Sequence, residues 1–224
     1  MNDVFRDRKE AGEKLAELLE PYAMELLSII AIPNGGAPVA FPIFKKFRKK
    51  NPNIKFELLV VRKIPIPYNT EAGFGAITSD GTIILNPPLV ARLGLTDEQI
   101  NQLAAKVLEQ IQQRLQKYGI QTQEFELKDK VVILVDDGLA SGYTMIAAIK
   151  SVKKFNPQKI IVAVPTAPKS SVDRVSPLVD KLICPNVRDT FFFAVADAYQ
   201  NWYDLNIAEV RSILDQVRSI TSNE

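Results

Sequence analysis

The stretch VVILVDDGLASGYT, residues 131–144, decides the fold of this chain. Its five leading apolar residues predict a buried strand, and two acidic residues, Asp136 and Asp137, follow that strand directly. The loop that comes next consists mainly of small residues, and residues 143–155 have the pattern of a helix. Because ligands bind beyond the carboxyl ends of strands in open α/β sheets, this order predicts a ligand-binding loop at the edge of a parallel sheet.

The loop has the composition of an anion-binding site. Gly138, Ala140, Ser141 and Gly142 leave its backbone uncovered, so that several N–H groups can point at one anion. The helix that follows adds its positive N-terminal end, and the hydroxyl groups of Ser141 and Thr144 add donors. The two carboxylates cannot hold a phosphate, since like charges repel. They suit sugar hydroxyls, a metal ion or a carbon that becomes positive.

Two other phosphate-binding motifs do not fit the spacing of this loop. A P-loop ends in Gly-Lys followed by Ser or Thr, whereas Gly142, Tyr143 and Thr144 stand here. A dinucleotide fingerprint needs G-x-G-x-x-G, and the loop has glycines at positions 138 and 142 alone. The remaining alternative is an ordinary turn in which an aspartate caps a helix.

Outside the loop, short apolar segments alternate with amphipathic ones. Thr96 and Gln99 form the capping box of the clearest predicted helix. The predicted strands are 25–32, 54–61, 131–135, 159–164 and 181–184, and the predicted helices are 8–20, 96–118, 143–155 and 207–220, with a further helix after the turn at 33–36. This pattern predicts an α/β fold with an open, mostly parallel sheet and helices on both faces. Glycines and prolines between residues 62 and 88 indicate a lid or loop region.

Composition excludes several classes of function. The 28 Lys and Arg residues nearly balance the 26 Asp and Glu residues, which favours neither nucleic acid nor an anionic membrane as a partner. The basic run at 45–50 is expected to lie at a helix C-terminus, where cations are favoured, rather than to bind RNA. The first residues are charged, and no apolar run approaches about 18 residues, the length of a membrane span. A single cysteine, Cys184, fits the reducing cytoplasm.

The chain contains no histidine, which excludes every mechanism that needs a histidine base or zinc ligand. Carboxylate, hydroxyl, Lys/Arg and backbone chemistry remains. A hard cation such as Mg²⁺ is the cofactor that suits this inventory.

The opening stretch resembles the signature by which type I phosphoribosyltransferases bind 5-phosphoribosyl-1-pyrophosphate (PRPP): an apolar strand, two acidic residues and a small-residue loop that ends Gly-x-Thr. A bacterial and archaeal subgroup of this family is similar in further segments, which are FRDR at 5–8 with Ala11-Gly12, IPNGGAPVA at 32–40, VRK at 61–63 and VPTAP at 164–168. The resemblance covers nearly the whole chain. It implies one phosphoribosyltransferase domain over residues 1–224, with a small hood or lid from 62–95 and 185–206.

For the ribose half of PRPP, the resemblance implies two groups of residues. Asp136 and Asp137 would hold the ribose hydroxyls, directly or through Mg²⁺, and would stabilise an oxocarbenium-like ribosyl group. The 5-phosphate would be bound by Ala140, Ser141, Gly142, Tyr143 and Thr144.

For the leaving group and the acceptor, the resemblance implies three further contacts. The turn of Asn34, Gly35 and Gly36 would bind pyrophosphate through backbone N–H groups and would contain a strained or cis peptide. Arg62 and Lys63 would neutralise the pyrophosphate. Phe193 would stack on a nucleobase.

The sequence departs from the family pattern at three positions. Asn34 stands where a basic residue is common, and Tyr143 is bulkier than the residue usual at its position. Ala140 stands where enzymes for 6-oxopurines carry an acidic residue, which argues against hypoxanthine or guanine as the acceptor.

These features predict Mg²⁺-dependent transfer of a phosphoribosyl group from PRPP to a nitrogen acceptor, a reaction of nucleotide metabolism that releases pyrophosphate. Two alternatives stay open: a regulatory protein that binds PRPP or a nucleotide without turnover, and hydrolysis of a phosphoribosyl compound. The expected partners are PRPP and a small-molecule acceptor whose identity the sequence leaves open. The resemblance also favours a homodimer.

Overall fold

A five-stranded parallel sheet forms the centre of the computed structural model, which describes residues 4–67, 69–121, 124–190 and 192–222. The strands of these residues are β1 (Leu27–Ala31), β2 (Lys55–Leu58), β3 (Val61–Ile66), β4 (Asn69–Thr78), β5 (Ile83–Leu85), β6 (Val131–Val135), β7 (Lys159–Ala163), β8 (Thr166–Pro168), β9 (Lys181–Ile183) and β10 (Asn186–Arg188). The central sheet has the order β2-β1-β6-β7-β9, and all of its neighbouring strands are parallel. The predicted mostly parallel sheet is therefore confirmed.

Helices cover both faces of this sheet. Within the described residues they are α1 (Arg8–Leu18), α2 (Gly36–Arg48), α3 (Pro87–Leu93), α4 (Asp97–Tyr118), α5 (Tyr143–Lys153), α6 (Lys169–Val175) and α7 (Ile207–Ser222). Alternate residues of a strand point to opposite faces, so Ile29 and Ile133 join one apolar cluster while Ile30 and Leu134 join the other. The first cluster includes residues of α1, α2, α4 and α7, and the second includes residues of α5.

The two strands at the middle of the sheet place the site. Every residue of β1 and β6 is buried, and the register pairs Leu27 with Val131 and Ala31 with Val135. Parallel strands in this register end at the same edge. The turn that follows β1 therefore meets the acidic loop that follows β6.

Two smaller β units flank the central sheet. Strands β3, β4 and β5 form an antiparallel sheet from the segment predicted as a lid, and β8 pairs with β10. Phe74 in β4 is fully buried, which makes it a packing residue. The assignment of 62–95 and 185–206 as a hood stays a prediction, and residues 68 and 191 within these segments lie outside the described residues.

The longer predicted elements agree with the structure within a few residues. Helix α4 begins after the Thr96 cap, whose hydroxyl accepts a hydrogen bond from the backbone N–H of Gln99 at 3.3 Å. Leu18 in α1 is 49% exposed, because it lies to the side of the buried stripe through Ala11 and Leu15. The short elements α3, α6, β8 and β10 were not predicted. No helix in the described part of the chain is both long and apolar enough to cross a membrane.

Candidate active site at the carboxyl edge of the sheet

The turn after β1 lies directly against the acidic loop after β6. A Cβ atom on Gly35 would overlap the carboxylate of Asp137, and one on Gly36 would overlap the carbonyl oxygen of Val135. Only glycine leaves room for these close approaches, to a carboxylate at Gly35 and to a backbone carbonyl at Gly36. The peptide bond between Pro33 and Asn34 is cis, in line with what the resemblance implied for this turn.

Asp136 and Asp137 form a pair of largely buried carboxyl groups. The backbone N–H of Asp137 donates to Oδ1 of Asp136 at 2.8 Å, which orients the Asp136 side chain. Burial raises the pKa of Asp136 well above its usual range, and the neighbouring charge of Asp137 raises it further. Burial also raises the pKa of Asp137, although the guanidinium of Arg8 opposes this effect. The site therefore presents two carboxyl groups that compete for ionisation.

Arg8, at the start of α1, is the cation that this acidic pair contacts. Its Nε donates to Oδ2 of Asp137 at 2.8 Å, and the two side chains are only 8% and 15% exposed. Its Nη1 donates to the carbonyl of Tyr203 at 2.9 Å, and its guanidinium lies 3.9 Å from the centre of the Trp202 ring. Arg8 thus joins the first helix, the acidic loop and the segment at 202–205.

Tyr199 ties the same C-terminal segment to the acidic loop. Its hydroxyl donates to the backbone carbonyl of Asp137 at 2.6 Å, and burial raises the pKa of that hydroxyl, so it stays a donor. The backbone N–H of Phe5 donates to Ala198 at 2.7 Å, and that of Gln200 returns a bond to Phe5 at 2.8 Å. The N-terminal and C-terminal segments therefore form one wall beside the site.

Both the nitrogen and the oxygen of the Asn34 side-chain amide form hydrogen bonds within the protein. Its Nδ2 donates to the carbonyl of Leu205 at 2.6 Å, while its Oδ1 accepts from the hydroxyl of Tyr118 at the end of α4. A lysine or arginine could not accept the Tyr118 bond, because neither has an acceptor atom. This explains why an amide stands where a basic residue is common. In the turn itself, the backbone N–H of Gly36 donates to the carbonyl of Ile32 at 2.9 Å, so the N–H groups left for a ligand are those of Asn34 and Gly35.

The loop from Ala140 to Thr144 leads into α5. Gly142 has the left-handed φ of +82°, which lets the chain turn into the helix without strain. Gly138 also approaches its surroundings closely, since a Cβ there would lie 2.6 Å from Val195. The backbone N–H groups from Ala140 to Thr144 have no acceptor among the described residues. They are therefore available to an anion.

The structure separates the two basic residues predicted for the leaving group. Arg62 is partly buried near Arg114 and Tyr118, and burial lowers its pKa, with the Arg114 charge as a second cause. Because Tyr118 bonds to Asn34, Arg62 belongs to the surroundings of the turn. Neighbouring strand residues point to opposite faces, so the exposed Lys63 side chain points away from that of Arg62. The pyrophosphate role of both residues stays a prediction.

An open cleft of about 450 Å³ lies between these segments. Its lining residues come from four parts of the chain and are Arg8, Asn34, Gly35, Asp137, Val195, Trp202, Asp204 and Leu205. Phe193, the predicted stacking residue, is partly buried and is not among the described residues that line the cleft. The aromatic side chain in the cleft is Trp202.

The donor set fits a magnesium ion that a ligand helps to hold. The described residues include no group of three or more acidic or cysteine side chains that could hold a metal by themselves. Mg²⁺ is usually bound by one or two carboxylates together with water and substrate phosphates. Asp136 and Asp137 supply two carboxylates, and a cation would offset the burial and the repulsion that raise the pKa of Asp136.

Sequence reasoning missed Arg8, Trp202 and Asp204 as site residues. The first could have been found, because Arg8 shares the buried stripe of α1 with Ala11 and Leu15. An arginine on a buried stripe indicates a buried ion pair, since an unpaired charge there is costly. Trp202 and Asp204 lie in a segment without regular structure, and no periodic pattern marks them.

Comparison with known proteins identifies relatives of this chain. A family model described as "Phosphoribosyl transferase domain" matches residues 7–201. Two Mycobacterium tuberculosis proteins, from strains CDC 1551 / Oshkosh and ATCC 25618 / H37Rv, have a provisional designation as phosphoribosyl transferases, and each is 31% identical over 213 residues. The match covers 95% of this chain and 47% of each relative, so the chain spans about half the length of the curated relatives it matches.

A solved structure shares the fold over nearly its full length. TT1426 from Thermus thermophilus superimposes with a TM-score of 0.75 and 29% sequence identity. The similarity covers 95% of this chain and 98% of that chain.

Proposed function

This chain belongs to the phosphoribosyl transferase family, and from that premise we propose that it transfers a phosphoribosyl group from PRPP to a nitrogen acceptor, with Mg²⁺ and with release of pyrophosphate. One observation carries the proposal. The turn at 34–36, the paired carboxyl groups of Asp136 and Asp137 and the uncovered amides of 140–144 lie around one edge of the sheet. The amides of 140–144 suit the 5-phosphate of PRPP, the paired carboxyl groups suit its ribose hydroxyls, and the turn at 34–36 suits its pyrophosphate.

Each part of PRPP has a proposed partner. The 5-phosphate lies at the start of α5, where free amides and the helix dipole favour an anion. The ribose hydroxyls donate to the carboxylates of Asp136 and Asp137. The pyrophosphate lies against the turn at 34–36 and accepts from the backbone N–H groups of Asn34 and Gly35, which have no acceptor among the described residues, with Arg62 as a nearby positive charge. The side chain of Asn34 stays bonded to Tyr118 and Leu205.

The transfer requires one bond to break and one to form at ribose C1. The bond from C1 to the pyrophosphate oxygen breaks, and its electron pair leaves with the pyrophosphate. The lone pair of the acceptor nitrogen then forms the new C1–N bond. C1 becomes positive during this exchange, so a carboxylate held ionised beside it stabilises the transition state. Arg8 favours that ionised form at Asp137.

Mg²⁺, held by the carboxylates together with oxygens of PRPP, would supply positive charge to the departing pyrophosphate. The chain itself contributes the carboxylates and Arg62. No side chain needs to form a covalent intermediate, so catalysis rests on positioning and charge.

The other side of the cleft fits an acceptor that carries an N–H group. Val195, Trp202 and Leu205 provide apolar surface there, and Asp204 provides a carboxylate. Asp204 could accept a hydrogen bond from the acceptor nitrogen and take its proton during transfer. The expectation against hypoxanthine and guanine assumed that Ala140 left no carboxylate for this task. Asp204 comes from another segment, so these bases belong in the test panel.

Binding and turnover test the proposal separately. Calorimetry should detect PRPP binding that Mg²⁺ strengthens, and the double variant D136N/D137N should lose it while Asp215→Asn on the exposed face of α7 keeps it. Absence of Mg²⁺-assisted binding to folded protein would contradict the proposal. PRPP binding without turnover of any base favours a regulatory protein, and pyrophosphate release without an acceptor favours hydrolysis.

The acceptor assignment is tested with hypoxanthine, guanine, adenine, uracil and orotate at matched PRPP and Mg²⁺. Loss of a general base typically costs a factor of about 100 or more. Asp204→Asn should lower kcat/KM for the best neutral base by about that factor, while Asp197→Asn, whose exposed side chain is not among the described cleft residues, should not. Anionic orotate should be a poor acceptor in the wild-type protein, because its negative charge and that of Asp204 repel. In Asp204→Asn its kcat/KM relative to the neutral bases should rise. Equal activity of the two variants would refute the role of Asp204.

A further inference from the structure

We propose that Ser171 and Arg174, on helix α6, are positioning residues that aim two amides of the 140–144 loop at the 5-phosphate of the substrate. This inference rests on the proposed function, because it requires an anion in the loop. It adds residues outside the signature stretch to the binding machinery. They act on the ligand through the backbone of the loop.

Helix α6 contacts the loop at three successive residues. Ser171 is only 1% exposed, and its hydroxyl donates to the carbonyl of Ala140. The Arg174 guanidinium donates to the carbonyl of Ser141. Gly142 packs on the same helix, since a Cβ on it would lie 3.2 Å from Val175. The loop is therefore supported from one side along its length.

Because a peptide group is planar, a contact that fixes the direction of a carbonyl also fixes the direction of the N–H of the next residue. In a trans peptide the C=O of one residue and the N–H of the next point in opposite directions across a rigid plane. When the Ala140 carbonyl points at α6, the N–H of Ser141 points away from α6. The Arg174 bond acts in the same way on the N–H of Gly142. Each contact thus sets one amide.

Both of these amides lack an internal acceptor in the part of the chain that the structure describes. Without the two contacts, the peptide planes could rotate and the amides would have to be ordered when the ligand binds. Ordering a backbone residue costs conformational entropy. Fixing the planes beforehand removes that cost from binding, which is the benefit of a preorganised site.

The same helix accounts for the bulky residue at position 143. The Arg174 guanidinium lies 5.5 Å from the centre of the Tyr143 ring, within the range of a cation–π contact. Tyr143 therefore holds Arg174 in the position from which it bonds to Ser141. The ring serves the side of the loop that faces α6, and the backbone N–H of Tyr143 stays available to the ligand.

Calorimetry with ribose 5-phosphate and with pyrophosphate distinguishes positioning from general damage. Ser171→Ala removes no charge, and it should weaken ribose 5-phosphate about 10-fold while leaving pyrophosphate within twofold. Arg174→Gln should weaken ribose 5-phosphate by a similar factor or more. The controls are Ser170→Ala, the exposed neighbouring serine, and Arg211→Gln, an exposed arginine on α7. Both controls should bind like the wild-type protein.

Amide resonances assign each effect to its peptide. In ¹⁵N-labelled protein, ribose 5-phosphate should shift the Ser141 and Gly142 amides. Ser171→Ala should reduce the shift of Ser141, and Arg174→Gln that of Gly142. Because Arg174 is exposed, its variant remains informative even if Ser171→Ala does not fold. Wild-type affinity in Arg174→Gln, or equal losses for both ligands, would overturn the inference alone. A wild-type protein that binds no phosphoribosyl ligand would overturn the proposed function and this inference together.

Discussion

The burial of the carboxyl groups of Asp136 and Asp137 beside each other destabilises the unliganded protein. Burial and mutual repulsion raise the pKa of Asp136, and the Arg8 contact is the main effect that opposes burial at Asp137. A purely structural aspartate would be expected to gain a partner on folding and to have a lowered pKa. Raised values at a pair inside a cleft indicate a functional site.

Asp136→Asn should make the unliganded protein more stable at pH 8 and should abolish Mg²⁺-assisted PRPP binding. The pKa of Asp136 in the folded protein lies above the ordinary value of 3.8. Between those two values the folded protein binds more protons than the unfolded chain, so wild-type stability falls as pH rises through this window. Each pH unit of the window corresponds to about 1.4 kcal/mol. Urea unfolding from pH 4 to pH 8 measures how the free energy of unfolding changes with pH in the wild-type protein and in Asp136→Asn. Equal pH dependence in the two proteins would count against a raised pKa at Asp136.

At the scale of elements, the site depends on how closely β1, β6 and α2 approach each other. The first residue of α2, Gly36, lies against the backbone of Val135, and Gly35 lies against Asp137. These contacts join two strand-to-helix connections that are about a hundred residues apart in sequence. The edge of the sheet brings them together because parallel strands share a direction.

Gly36→Ala should push α2 away from β6, because the obstructing atom is a backbone carbonyl that cannot rotate aside. Overpacking of this kind costs about 1–3 kcal/mol. We expect lower stability and at least a 10-fold loss of PRPP affinity by calorimetry. Gly81→Ala is the matched control: its φ of +80° also strains an alanine, but no atom lies within 4 Å of the added Cβ. The control should lose stability and keep its PRPP affinity. If Gly36→Ala and Gly81→Ala bound PRPP equally well, the turn would not be part of the binding site.

At the scale of the whole molecule, the N-terminal segment and the segment before α7 close one side of the cleft. Arg8 bonds to Asp137 and to Tyr203, and the segment after Phe5 pairs with residues 198–201. The cleft therefore exists only when the first helix and the segment before α7 are both in place. Ligand binding and the order of these terminal segments are linked as a consequence.

Arg8→Gln should destabilise the protein more at pH 8 than at pH 5. Arg8 lowers the pKa of Asp137. Without Arg8 that pKa rises, the folded protein retains a proton over a wider range, and stability falls more steeply as pH increases. Breaking a buried ion pair costs up to about 3–5 kcal/mol, and less at low pH, where Asp137 is neutral.

Arg6→Gln, which removes the exposed pair with Asp7, is the control. Hydrogen exchange at 199–205 should speed up in Arg8→Gln alone, and unchanged exchange would contradict the link.

Local patterns determined most of the fold. The continuous apolar run of β6, the capping box of α4 and the small residues after Asp137 are each contained within a few neighbouring positions. Strand or helix formation depends on side-chain period and backbone propensity over such windows, so the sequence is sufficient there. Short elements such as α6 and β10 lack enough turns or pairs to leave a period, and tertiary contacts stabilise them instead.

The sequence by itself determined the small-residue loop, the acidic pair and the parallel sheet that carries them. Tertiary structure alone decided which partners complete them: Arg8 on Asp137, Tyr118 and Leu205 on the amide of Asn34, and Ser171 and Arg174 on the loop carbonyls. It also placed Trp202, rather than Phe193, in the cleft. The physical reason is that such contacts join residues tens to hundreds of positions apart. Their geometry depends on how whole elements pack, which no local period encodes.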